Sequence, residues 1–223
     1  MDKYVKEIIT DLDVLSEWCT EIDPIKEGKE SQEIIKSLKA TMRANDLVSL
    51  SAPQIGYPRR IICIKFGNDD YRTMINPMVE NVSKIQFTRE KCSSIPNKEY
   101  ILPRFTTTTL IYTTPLGKIE SRKILGKSAF VIQHCVDHLN GVKISDYGLE
   151  IDELWDQATD DERAEVLKAY AEALDVRQKN LQKEIDDDKE LKDIDDAARF
   201  INSVKSGETI LEIDNLKDEN SSK

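Results

Sequence analysis

His134 and His138 are the two histidines of the chain, and they stand four residues apart. On a helix, four residues turn through about 400°, so both rings lie on one face. Two imidazoles so placed can share one metal ion. The alternative is a pair of core histidines, each satisfied by its own hydrogen bond. A soft third ligand would complete a divalent transition-metal site, and of the four cysteines Cys92 is the best placed. It sits in the polar stretch Arg89 to Pro96, read as a turn after a strand. Cys63 falls within an apolar run and reads as a small core residue, as does Cys19 beside Trp18. Three protein ligands leave one tetrahedral position for water, the arrangement of a hydrolytic rather than a purely structural site.

The elements around these residues follow from periodicity. Ala129, Phe130, Val131, Ile132, Val136 and Leu139 make Lys127 to Asn140 apolar nearly all round, which predicts a buried helix, and Asn140-Gly141 is its stop. Ile34, Ile35, Leu38 and Met42 predict an earlier helix over Ser31 to Met42. Leu47 to Pro58 reads as an extended segment and a turn. Ile61 to Phe66 is a short apolar strand. Thr73 to Val79 and Val82 to Phe87 read as two further strands, with Pro77 marking an edge or bulge. Thr106 to Thr113 and Lys118 to Ile124 form a hairpin across Thr114-Pro115-Leu116-Gly117. Strands followed by a central helix indicate an α+β fold, antiparallel strands packed around the metal-bearing helix.

The chain divides by charge. Its net charge of −10 is carried by the last third: from Ile151 onward there are 22 acidic and 11 basic residues, whereas the first 150 hold 20 and 21. Residues 1–150 are therefore read as the metal-binding domain and 151–223 as an acidic helical extension. Thr159 to Glu162 is a capping box, and Leu167, Ala171, Leu174, Leu181 and Ile185 form the stripe of a long helix. Asp186-Asp187-Asp188 interrupts it, a short helix is expected over Ile194 to Val204, and Asp214 to Lys223 is expected to be disordered. An acidic extension argues against direct nucleic-acid binding. No stretch of about 18 apolar residues predicts a membrane span, no export leader is expected, and the cysteines read as reduced thiols in a cytoplasmic protein.

Three segments, in order, resemble the motifs of the peptide deformylase family. Leu50-Ser51-Ala52-Pro53-Gln54-Ile55-Gly56 is similar to the first (Gly-x-Gly-x-Ala-Ala-x-Gln). Glu90-Lys91-Cys92-Ser93-Ser94 is similar to the second (Glu-Gly-Cys-Leu-Ser). Gln133-His134-Cys135-Val136-Asp137-His138-Leu139-Asn140-Gly141 is similar to the third, His-Glu-x-x-His followed by Leu-Asn-Gly. The resemblance covers about residues 5 to 150. It implies removal of the N-formyl group from N-formylmethionyl nascent peptides, beside the ribosome, by water activated on one metal ion. That ion is Fe(II) or Zn(II), with Ni or Co also compatible. By matching position it implies Cys92, His134 and His138 as ligands. It implies the Gln54 amide and the Ser93 backbone N–H as oxyanion donors, and a methionine pocket near Val48, Phe130 and Val131.

The sequence departs from that pattern in three places. Leu47-Val48-Ser49 replaces Gly-x-Gly, which stiffens the loop. Lys91 replaces the glycine before the ligand cysteine. Cys135 replaces the glutamate that shuttles the proton. Cys135 is then a poor proton shuttle, a fourth ligand closing a Cys2His2 cage, or an inert residue in a silent homologue that binds metal and formyl peptide.

Overall fold

The computed structural model describes residues 2–67 and 69–187, the side chains of 181–187 excepted. The expected short helix at 194–204 and the disordered end at 214–223 lie outside the described residues.

The first helix, α1 (Gly28–Ala44), buries Ile34, Ile35, Leu38 and Met42, the stripe its sequence announces. The segment after it, expected to be extended and then to turn, is a strand over β1 (Ser49–Ser51). It then tightens into a 3₁₀ turn at Ala52–Ile55, ended by Gly56 at φ 84°. A left-handed residue there is the reason for glycine. β2 (Ile61–Lys65) pairs antiparallel with β1 and with β3 (Tyr71–Cys92). Alternation explains why β2 is apolar throughout rather than on every second residue. Ile61 and Cys63 join α1, whereas Ile62 and Ile64 join the later helix that carries the two histidines. Both faces are covered, and each buried Ile side chain contributes about 1.5–3 kcal/mol.

The two strands expected at 73–79 and 82–87 are one strand, β3. Its register shifts between Ile75 and Met78 and again between Glu80 and Ser83, and Asn76 and Asn81 take positive φ there. Asparagine tolerates that conformation, so the chain bulges and continues instead of turning. Pro77 falls in the first bulge, as its missing N–H requires. β3 turns at Ser93-Ser94 into β4 (Ile95–Thr113), and β4 pairs on its other side with β5 (Ile119–Leu125) and β6 (Leu149–Ile151). The sheet runs β1-β2-β3-β4-β5, with β6 beside β4.

Against this sheet lies α2 (Lys127–Leu139), whose Ile132, Cys135, Val136 and Leu139 pack on Ile62, Ile64, Met74 and Leu110. The short helices α3 (Ile144–Tyr147) and α4 (Glu153–Gln157) lead to α5 (Asp160–Asp187). The expected capping box is formed: Glu162 accepts from the Thr159 N–H at 2.8 Å, and the Glu162 N–H reaches the Thr159 hydroxyl at 3.3 Å. Leu167 of α5 is buried with Ile101 and Trp155. The architecture is α+β, as expected. Among the described residues no helix is long and apolar enough to cross a membrane.

Candidate metal centre

Cys92 is the last residue of β3, where the strand bends into the hairpin turn. His134 and His138 project from α2, one turn apart, with ring centroids 5.1 Å from each other. Helix and hairpin meet so that one ligand atom from each of the three residues lies within 4.8 Å of the others, a grouping able to hold a metal ion. The Cys92 sulfur is 3.3 Å from Nε2 of His138. One cysteine sulfur and two imidazoles form a donor set suited to Zn(II) or Fe(II), and among the described residues no carboxylate joins it.

The rings are held differently. Nδ1 of His134 is 2.9 Å from Oε2 of Glu90, which fixes that ring with Nε2 toward Cys92. Glu90 in turn receives both arms of Arg104, at 2.8 and 3.0 Å. Arg104 also donates to Asp137 at 2.5 Å and to the Tyr147 hydroxyl at 2.8 Å, and that hydroxyl donates to Asp137 at 2.9 Å. Burial opposes the Glu90 charge, but Arg104 and His134 outweigh it and hold the carboxyl far below its usual range. Burial likewise opposes the His134 cation, yet its hydrogen bonds to Cys92 and Glu90 push the pKa up to about 9. His138 goes the other way: burial first, then the charges of His134, Arg104 and Lys143, keep it neutral. Its Nδ1 is buried without a partner among the described residues. A buried neutral imidazole, a carboxylate-oriented second imidazole and a cysteine fit a divalent metal.

Gln54 lies at the end of the 3₁₀ turn, and its amide is oriented at both ends. Oε1 accepts the Ser51 N–H at 2.9 Å, while Nε2 faces Cys92 Sγ at 3.6 Å, Ser93 Oγ at 3.4 Å and Ser94 Oγ at 3.2 Å. An amide N–H is therefore presented beside the candidate ligand sulfur. Ser93 occupies the hairpin turn next to it.

Cys135 is not among the grouped donors. It is fully buried in the apolar cluster under α2. Burial raises its thiol to about 11 despite hydrogen bonds with Ser49 and Ser51, which lower it. Ser51 also donates its hydroxyl to the Cys135 carbonyl at 3.0 Å. Ser49, a departure in the first motif region, and Ser51 beside it thus meet the departure in the third. Val48 is 63% exposed before β1, and Phe130 and Val131 are half-buried on α2, with Val131 packed on the sheet. Lys91 points outward and pairs with Glu99 at 2.6 Å.

Sequence reasoning passed over Arg104, Asp137 and Tyr147. Arg104 left a signal, a charged residue within the apolar run Ile101-Leu102-Pro103-Arg104-Phe105. Tyr147 left none, since its approach depends on the turn into α3.

A family model described as polypeptide deformylase matches residues 5–153. A peptide deformylase of Microchaete diplosiphon is 33% identical over 126 residues, which is 54% of this chain and 67% of that protein. One from Pelagibacter ubique is 32% identical over 149 residues, 64% of this chain and 86% of the relative. The crystal structure of the Thermotoga maritima peptide deformylase superposes with a TM-score of 0.59 at 28% identity, covering 64% of this chain and 96% of that one.

Proposed function

The chain belongs to the polypeptide deformylase family, and from that premise we propose that it is a slow metal-dependent hydrolase of the N-formyl group on N-formylmethionyl nascent peptides. The observation that carries the reading is the convergence of Cys92, His134 and His138 within 4.8 Å. These three would hold one divalent ion, Fe(II) or Zn(II), with Ni or Co able to replace it. When bound, the metal supplies Lewis acidity toward water and the formyl group.

The rest of the chemistry belongs to the chain. Gln54 donates an amide N–H toward the oxygen that gains charge, and the Ser93 backbone N–H is the second donor; such donors are each worth about 10²–10³ in rate. Glu90 keeps His134 in one orientation. Val48, Phe130 and Val131 contribute apolar surface for the methionine side chain. Cys135 takes no part in proton transfer on this reading, because its side chain is buried in the apolar cluster between α2 and the sheet. General acid–base catalysis accounts for roughly 10²–10⁴-fold, so turnover is slower by about that factor. The metal-binding unit is residues 1–150, with 151–223 an acidic appendage. It works in the cytoplasm near the ribosome without binding RNA itself.

The same burial of Cys135 favours a second reading, a silent homologue that binds metal and formyl peptide. Formate release from formyl-Met-Ala-Ser separates the two, using protein purified anaerobically and loaded with Fe(II), Ni(II) or Zn(II). The slow-enzyme reading expects measurable native turnover, unchanged in Cys135→Ala and raised in Cys135→Glu. Native silence with every metal, beside an active Cys135→Glu, establishes the silent homologue. Loss of native turnover in Cys135→Ala instead makes the thiol the proton shuttle.

A further inference from the structure

The helix α5 begins beyond the matched residues 5–153, yet it touches the outer supports of the metal centre at several points. Tyr170 donates its hydroxyl to the backbone carbonyl of Tyr147. One helical stretch further on, Arg177 donates to the carbonyl of Asp146 at 2.7 Å. Both bonds grip the last turn of α3, from which the Tyr147 side chain enters the network. There its hydroxyl takes a hydrogen bond from Arg104 at 2.8 Å and gives one to Asp137 at 2.9 Å. Arg104 is the residue that clasps Glu90, and Glu90 lies 2.9 Å from the His134 ring.

A second route reaches the other ligand from behind. Strand residues alternate in direction. In β3, Thr88, Glu90 and Cys92 face the centre, so Phe87, Arg89 and Lys91 face outward. The Tyr170 ring lies against Phe87 with centroids 5.7 Å apart. Asp156, in α4, binds Arg89 at 2.6 and 3.2 Å. Arg163 of α5 secures α4 by donating to the carbonyls of Trp155 and Asp156, each at 3.0 Å. The strand that ends in Cys92 is thus backed by α4 and α5 over the residues just before it.

Resting on the metal-binding reading above, we propose that α5 is a positioning element of the metal centre: through Tyr170, and with Arg177 beside it, it fixes Tyr147, and hence the Arg104–Glu90 pair that orients His134. Tyr170 touches neither metal nor substrate. Its hydroxyl acts on the centre through three intervening side chains, while its ring and Leu167 supply ordinary packing. The two contributions are separable by substitution. Tyr170→Phe keeps the ring and removes the hydroxyl, and Leu167→Ala does the reverse by thinning the apolar cluster without touching the hydrogen bonds.

The test is Co(II) binding by the full chain, read by competition against a chromogenic chelator and by the visible absorption of the bound cobalt. Folded content is checked by circular dichroism on the metal-free protein. Loss of an outer partner of a metal ligand weakens affinity about 10–100-fold. Tyr170 lies further out, so Tyr170→Phe is expected to weaken Co(II) binding about 3–10-fold and to shift the cobalt spectrum. Tyr170→Phe combined with Arg177→Ala is expected to do more. Leu167→Ala is expected to lower thermal stability while the folded fraction binds Co(II) with native affinity and spectrum. Native affinity and spectrum in the doubly substituted chain would overturn the positioning role while leaving the metal reading intact. Failure of the unsubstituted chain to bind Co(II) would overturn both.

Discussion

Nδ1 of His134 lies 2.9 Å from Oε2 of Glu90, and the far side of that carboxylate is held by Arg104 at 2.8 and 3.0 Å. The candidate ligand ring is therefore aimed by a carboxylate that cannot itself swing. Glu90→Gln keeps the shape and removes the charge. The expected result is metal affinity about 10–100-fold weaker. Stability should also fall by about 1–3 kcal/mol, because the buried Arg104 loses a charge-assisted partner. Chelator competition reads the first and urea unfolding of the metal-free protein reads the second. Unchanged affinity would show that the ring needs no such aim.

Gln54 is the other oriented group. With Oε1 committed to the Ser51 N–H at 2.9 Å, its Nε2 has one direction to point, toward the hairpin turn beside Cys92. In a Cys135→Glu background, expected to raise turnover, Gln54→Leu is expected to lower kcat about 10²–10³-fold. Metal content, by elemental analysis, should stay near stoichiometric. A fall in metal content matching the fall in rate would instead make Gln54 a support of the ligand sulfur.

The grouping of Cys92, His134 and His138 was legible because its signals are local: two histidines at helical spacing on an apolar helix, and a cysteine in a polar turn. β2 was legible as a strand, and its burial on both faces follows from its unbroken apolar run. β3 was not legible as one element. Asn76-Pro77 and Asn81 look like breaks in the sequence, but the long partner β4 carries the pairing past them. Nor was the brace on His134 fully readable. Glu90 stands two residues before Cys92 in the second motif, whereas Arg104 and Tyr147 arrive from β4 and α3 through tertiary contacts that no spacing encodes. The position of Cys135 illustrates the same limit. Its place in the motif left a proton shuttle, a fourth ligand and an inert residue all open, and the structure places it in the apolar cluster with Ile62, Ile132 and Leu139.

Cys63 gives a pH prediction remote from the metal. Burial lifts its thiol to about 11, outweighing the Thr73 hydroxyl and the Lys39 and Arg43 charges that pull it down. The folded pKa is raised above the unfolded value of 9.0. Stability from the protonated thiol is therefore fully present below about pH 9 and is lost as pH rises toward about 11. At pH 10 the loss is on the order of 1 kcal/mol. Urea midpoints at pH 8 and pH 10 should show at least that decrement, since burial raises the Cys19 and Cys135 thiols to about 11 as well, and Cys63→Val should remove the Cys63 share. An identical pH dependence in the valine variant would place the alkaline sensitivity elsewhere, Cys19 being the next candidate because burial raises it to about 11 as well.

Gly141 ties the end of α2 to the N-terminal segment. It follows the α2 cap residue Asn140 with φ at 69°, and a Cβ there would lie 2.3 Å from the Ser16 carbonyl oxygen and 2.7 Å from its carbon. Backbone, not a flexible side-chain end, is what a methyl would strike. The same neighbourhood is fastened by the Cys19 N–H bonding to the Leu139 carbonyl at 3.0 Å and by Lys143 reaching the Ser16 hydroxyl at 2.6 Å. Gly141→Ala is expected to cost about 1–3 kcal/mol from the left-handed backbone alone, and more from the clash. Because the displaced segment packs on the end of α2, His138 should shift with it, and metal affinity should fall alongside the melting temperature. Differential scanning fluorimetry with and without saturating Zn(II) measures both. A lower melting temperature with an unchanged Zn(II)-induced increment would mean that α2 holds His138 in place independently of the N-terminal segment.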